Sequence, residues 1–162
     1  MPEEERRSAE VAAEREQLLN ALYDSLAELP MWERFLRAAR SAFLCDHASL
    51  TFSSWPTEQD EPVQFADEGV ALEAIEILYR QGLFRDLSPD VSVEVEASPL
   101  AETGGTVHRA LVMPVAIESG RMVYLALWRA VGGDAFDEAA HTSLAGLAAP
   151  LKRGVRLFFR IA

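Results

Sequence analysis

The 162-residue chain has one cysteine, Cys45, so no disulfide can form within it, and a reducing compartment is the expected setting. Histidine is nearly as scarce. His47, His108 and His141 are scattered, and together with Cys45 they match none of the spacings of a structural zinc site, which takes about four such ligands. Neither a metal nor any other cofactor is expected. No apolar run approaches the roughly 18–20 residues that span a bilayer. Residues 1–17 are charged and lack an apolar stretch, so no secretory signal is predicted and the expected location is the cytoplasm. Basic residues are in deficit, 15 Lys and Arg against 26 Asp and Glu, for a net charge of −11. That balance argues against nucleic acid or an anionic membrane as a partner of this chain, because gripping phosphates requires dense Lys and Arg. The local exception, Lys152, Arg153, Arg156 and Arg160, reads as a solvated helix face whose cations suit a helix C-terminus.

Catalytic constellations are also missing. Gly104-Gly105 and Gly132-Gly133 lack the spacing and the lysine of a phosphate-binding loop. Cys45-Asp46-His47 brings a thiol and an imidazole close in sequence, but Cys45 reads better as a small apolar residue at a helix end than as a nucleophile. His108-Arg109, at the start of a strand, is placed at a solvent end. Glu94, Glu96 and Glu102 read as solvated acids, and Asp134, Asp137 and Glu138 as acids at a helix start. The chain is not expected to be an enzyme.

What is present is a balanced globular composition, 49% hydrophobic and 25% charged, in a length that suits one domain over residues 1–162. Leucines at steps of three and four predict a helix over residues 3–29, ended at Pro30. Trp32, Phe35, Leu36, Ala39 and Phe43 form one face of a second helix over 31–44. Strict alternation over 47–53 predicts a strand with Ala48, Leu50 and Phe52 on one face and His47, Ser49, Thr51 and Ser53 on the other. A short strand is expected near Val63–Ala66, a helix over 68–83, and another short strand around Val91, Val93 and Val95. Residues 106–117 and 122–128 are apolar on both faces, so they are expected to be central strands, joined by a tight turn at Gly120 into an antiparallel hairpin. A long helix is predicted over 134–161, capped by Asp134 and kinked at Pro150.

The order Met113-Pro114-Val115, a turn with Gly120, Val123-Tyr124-Leu125-Ala126-Leu127, a Gly-rich loop, Phe136-Asp137-Glu138 and a Leu/Ala-rich helix resembles the C-terminal half of GAF domains. The run Leu144-Ala145-Gly146-Leu147-Ala148-Ala149-Pro150 looks most like the sensor region of LuxR-type helix-turn-helix regulators, as do Leu22-Tyr23-Asp24, Trp32 and Phe35 near the start. The resemblance implies an α+β, GAF/PAS-like fold: a central antiparallel sheet of about five or six strands, with the N- and C-terminal helices packed on one face. Helix 68–83 is expected on or beside the other face. GAF strands often carry Gly where Tyr124 sits, a departure that changes any cavity there. The resemblance also implies an input module of a transcriptional regulator, although no helix-turn-helix motif follows within the sequence.

The candidate site follows from strand alternation. Met122, Tyr124, Ala126 and Trp128 share one side of their strand, and Ser49 and Thr51 lie on the side of theirs away from Leu50. If those sides coincide, apolar walls meet a few hydrogen-bonding groups, the composition of a ligand pocket. The competing arrangement has the polar residues facing solvent on an edge strand. Trp55, Phe65 and Tyr79 join Ser49, Thr51, Tyr124 and Trp128 as candidate ligand-binding residues because aromatics supply pocket walls. The expected function is a ligand-sensing regulatory domain with an unidentified small-molecule ligand; the alternative is a dimerisation or protein-interaction module without one. A homodimer through helices 3–29 and 134–161 is expected in either case, since Leu157, Phe158, Phe159 and Ile161 widen the apolar surface of the last helix.

Overall fold

The computed structural model describes residues 3–25, 32–52, 63–66, 87–97, 108–117, 121–130 and 136–161. Two helices open the chain, α1 (Glu3–Ser25) and α2 (Glu33–Ala42), followed by strands β1 (His47–Phe52), β2 (Val63–Ala66), β3 (Val93–Ala97), β4 (His108–Ile117) and β5 (Arg121–Ala130). Helices α3 (Glu138–Ala145) and α4 (Ala148–Ile161) close it. The strands form one sheet of five in the order β2-β1-β5-β4-β3, every neighbouring pair antiparallel. The hairpin β4–β5 lies inside the sheet together with β1, and the two hairpin strands are largely apolar on both faces, as covered strands are.

The larger core lies between one face of the sheet and the helices. Ala48, Leu50 and Phe52 of β1, Val123, Leu125 and Leu127 of β5, and Leu111, Met113 and Val115 of β4 meet Leu18 and Leu22 of α1, Phe35, Leu36 and Ala39 of α2, and Leu144, Leu151 and Val155 of α3 and α4. Each such Val, Leu, Met or Phe side chain, fully withdrawn from water, contributes roughly 1.5–3 kcal/mol. The N- and C-terminal helices therefore cover the same face. Residues 68–83, expected to cover or flank the other, lie outside the described residues.

Trp32 seals the edge of this core. It is fully buried, its ring stands 6.0 Å from that of Phe52, and its backbone is left-handed (φ 67°) at the residue preceding α2. Such a conformation costs about 1–2 kcal/mol in a non-glycine residue, and burial of the indole offsets it.

The C-terminal helix differs from the sequence expectation at two points. The side chain of Asp137 is the cap, its Oδ1 accepting from the Ala140 amide at 2.8 Å, so the helix begins at Glu138 and not at Asp134, which lies outside the described residues. The break falls at Gly146-Leu147, ahead of Pro150. Pro150 thereby becomes the third residue of α4, where backbone amides have no intrahelical partner to lose. A continuous helix would have driven the proline ring against the carbonyl four residues earlier, that of Gly146.

Candidate functional site

The second face of the sheet is built from the alternate residues of the same strands. Register sets Ser49 opposite Ala126 and Thr51 opposite Tyr124, while Val112 faces Ala126 and Ala110 faces Trp128 across β4–β5. Cross-strand partners share a face. Ala110, Val112, Tyr124, Ala126 and Trp128 accordingly form a second buried cluster, with Leu87, Val95 and Met122 packed against it. The row between the two large aromatics, Tyr124 and Trp128, is Ser49, Ala126 and Val112, and Ala110 stands beside Trp128.

Ser49 and Thr51 are the two polar residues that are fully buried among the described residues. Because β1 lies inside the sheet and not at its edge, neither faces solvent. Trp128 Nε1–H donates to Ser49 Oγ at 3.0 Å, tying β5 to β1 through a buried hydrogen bond. Thr51 Oγ1 is buried and, among the described residues, has no hydrogen-bond partner. Withdrawing a hydroxyl from water without a replacement bond costs about 1–3 kcal/mol, so Thr51 is held in an unfavourable place. His47, half-buried, stands opposite Trp128 on the same face of β1 as Ser49 and Thr51.

Of the residues expected at the site, the structure brings together Ser49, Thr51, Tyr124 and Trp128. Phe65 stands opposite Leu50 in the β1–β2 register, which groups it by position with the helix-covered face. Trp55 and Tyr79 lie outside the described residues. Strand alternation did not supply Ala110 and Val112, although both are in the sequence of β4; the missing information was which face of β4 meets Tyr124, and the β4–β5 register provides it.

Several polar groups near the other end of the sheet are engaged in structure. Arg129 donates to the carbonyls of Phe43 (Nη2, 2.8 Å) and Leu44 (Nε, 3.3 Å) and its guanidinium lies 4.0 Å from the ring centroid of Phe136. Glu94 accepts from the Phe136 amide at 3.2 Å and its carboxylate is 3.6 Å from Arg109 Nε, so it is a clasp between β3, β4 and the lead-in to α3, in contrast to the solvated role expected. Ser92 Oγ and His141 Nδ1 are 2.7 Å apart across the same junction. The half-buried thiol of Cys45 contacts the carbonyls of Arg40 and His47. Among the described residues, no three His, Cys, Asp or Glu side chains cluster as metal ligands, and no helix is long and apolar enough to cross a membrane.

A separate groove of about 430 Å³ lies on the helical side, between α1 and α3. Val11, Leu18, Phe43, Leu44, Ala140 and Leu147 are among the residues that line it. Leu44 is 82% exposed and holds a left-handed backbone (φ 52°).

No protein-family model matches the chain, and no curated protein resembles it in sequence. Solved structures do resemble it. The GAF domain of a sensor histidine kinase from Pseudomonas syringae pv. tomato superposes with a TM-score of 0.57 at 20% identity, over 96% of each chain. An N-acylhomoserine lactone dependent LuxR family transcription factor from Burkholderia cenocepacia superposes with a TM-score of 0.52 at 15% identity, over 90% of this chain and 95% of that one. At these identities the shared property is the backbone architecture. The helix-backed antiparallel sheet described above is a GAF-like fold.

Proposed function

We propose that this chain is a ligand-sensing regulatory domain, the input module of a transcriptional regulator, and that the second face of its sheet holds a small molecule. The observation that carries the reading is Thr51. A fully buried hydroxyl that has no partner among the described residues, beside the Trp128–Ser49 bond, is a polar contact open to a ligand. Tyr124 and Trp128 flank it, and Trp55 and Tyr79 are proposed to complete its walls. The structural neighbours support the reading, one being a sensor kinase domain and the other a regulator that depends on a small molecule. Native mass spectrometry of the full chain purified from cells tests it. A small molecule of defined mass, retained under gentle conditions and released on denaturation, is the expected result; bare protein at every charge state is the contrary one.

A different observation favours the reading as a dimerisation module. Every described side chain from Glu3 to Gln17 of α1 is exposed, including Val11 at 59%. A helix segment of that length is marginal alone in water. A second copy packed along α1 and the adjoining groove would cover it, and the two functions are compatible in one regulator.

A further inference from the structure

Resting on the reading of the second sheet face as the sensing site, we infer that strand β3 is the linkage that carries the state of that face to the C-terminal helices. β3 is the last strand in the order β2-β1-β5-β4-β3 and, among the described residues, is paired on one side alone, to β4. Its side chains alternate between the two faces of the sheet. Val93 stands opposite Val112 and Val95 opposite Ala110, which sets both on the second face, and Val95 packs against the cluster there. Glu94 stands opposite Leu111, a member of the helix-side core, so it faces the helices. One short edge strand therefore touches the candidate site with one set of residues and the helical layer with the next.

On the helix side the attachment is polar. The Glu94 carboxylate accepts from the Phe136 amide at 3.2 Å, one residue ahead of the Asp137 cap. Ser92 Oγ, just before β3, lies 2.7 Å from Nδ1 of His141, in the first turn of α3. β4 meets the helices differently: Leu111, Met113 and Val115 pack by apolar contact, which is non-directional and tolerates small shifts. A hydrogen bond does not, and displacing β3 by about 0.5 Å takes the Glu94–Phe136 bond out of range. α3 has 8 residues and buries Leu144. A helix this short does not hold its own fold in water, so its first turn depends on what grips it. Val95 and Glu94 are adjacent in the chain, so a molecule that shifts Val95 on the second face shifts the grip on α3.

The test is native-state hydrogen exchange of the ligand-free full chain, followed by NMR. The amides of His141 and Gly146, bonded to the carbonyls of Asp137 and Thr142 at the two ends of α3, are compared with those of Leu36 and Phe43, bonded to Trp32 and Ala39 at the two ends of α2. Val95→Ala, which takes side-chain contact with the second-face cluster away from β3, is expected to speed exchange at His141 and Gly146 about tenfold relative to Leu36 and Phe43. Val112→Ala removes the same atoms from the same face on β4, and is expected to speed exchange in both helices in step. Adding Glu94→Ala to Val95→Ala is expected to do no more than Glu94→Ala does alone, since the link is then already cut. Glu94→Gln keeps an oxygen that accepts from the Phe136 amide and should leave α3 as in the unsubstituted chain. Exchange in α3 that rises only in step with α2 in Val95→Ala, or effects of Val95→Ala and Glu94→Ala that simply add, overturns the linkage. An effect of Glu94→Gln as large as that of Glu94→Ala moves the link to the Arg109 ion pair and overturns the bond to Phe136 as its basis. Because no ligand enters the measurement, its outcome is separate from that of the mass spectrometry. Coupling without a retained molecule keeps the linkage and removes the sensing reading; a retained molecule without coupling does the reverse.

Discussion

At the residue scale the molecule turns on a few polar atoms in an apolar setting. The bond from Trp128 Nε1 to Ser49 Oγ, at 3.0 Å between two fully or nearly buried side chains, couples the strands that carry the candidate site. A neutral buried hydrogen bond of this kind contributes about 1 kcal/mol net, and leaving one partner unpaired costs more than removing both. Trp128→Phe and Ser49→Ala should each destabilise the fold, while the double variant should be less destabilised than their sum, by about 1 kcal/mol in urea unfolding. Strict additivity would mean that the bond carries no coupling. The sequence alone marked Ser49 and Trp128 as facing one way within their own strands. Their pairing across β1–β5 is a product of the register.

Among the elements, the C-terminal helices show how local chemistry sets boundaries. Asp137 caps α3, so Asp137→Ala should cost about 1 kcal/mol; an unchanged denaturation midpoint would show that the cap is replaceable by water. Gly154 lies inside α4 where that helix crosses α1. A Cβ placed on it would meet Leu22 at 3.5 Å, ordinary contact with the branched end of one side chain. Glycine is disfavoured in a helix interior relative to alanine by roughly 0.5–1 kcal/mol, so Gly154→Ala should stabilise the protein by about that amount. A drop in melting temperature would indicate that α1 and α4 are already at their closest approach. The sequence showed a helix-period pattern through both segments. It did not show that Gly146-Leu147 would separate them, because the pattern of Leu144, Leu147 and Leu151 continues unbroken across the turn.

At the scale of the whole molecule the proposed homodimer is the open surface question. Val11 at 59% exposure and Leu44 at 82% border the groove between α1 and α3, and Leu44 keeps a left-handed backbone there. Leu157 of α4 is 40% exposed; the side chains of Phe158, Phe159 and Ile161, which the sequence assigned to the same surface, lie outside the described set. Two copies related by a two-fold axis would bury these apolar groups symmetrically. Sedimentation equilibrium at micromolar concentration should give twice the chain mass, and Val11→Glu with Leu44→Glu should weaken association by tenfold or more, roughly the cost of setting two carboxylates in an apolar contact. A monomer mass for the unsubstituted chain would remove the dimer.

The sequence by itself determined where α1, α2, β1, β4 and β5 form and which sides of β1 and α2 are apolar. Alternation in β1 and β5, helix periodicity in α1 and α2, and the short connection at Gly120 are local patterns, and local patterns act through backbone geometry that needs no distant partner. Only the tertiary structure decided that β1 enters the sheet between β2 and β5, which converts Ser49 and Thr51 from candidates for a solvent face into fully buried groups. It also decided that Thr51 meets Tyr124 while Phe65 meets Leu50, since register comes from contacts between strands far apart in the chain. The Thr51 hydroxyl that motivates the site, without a partner among the described residues, is a property of that assembly: any threonine in water is hydrogen-bonded, and this one leaves water only when the sheet forms around it.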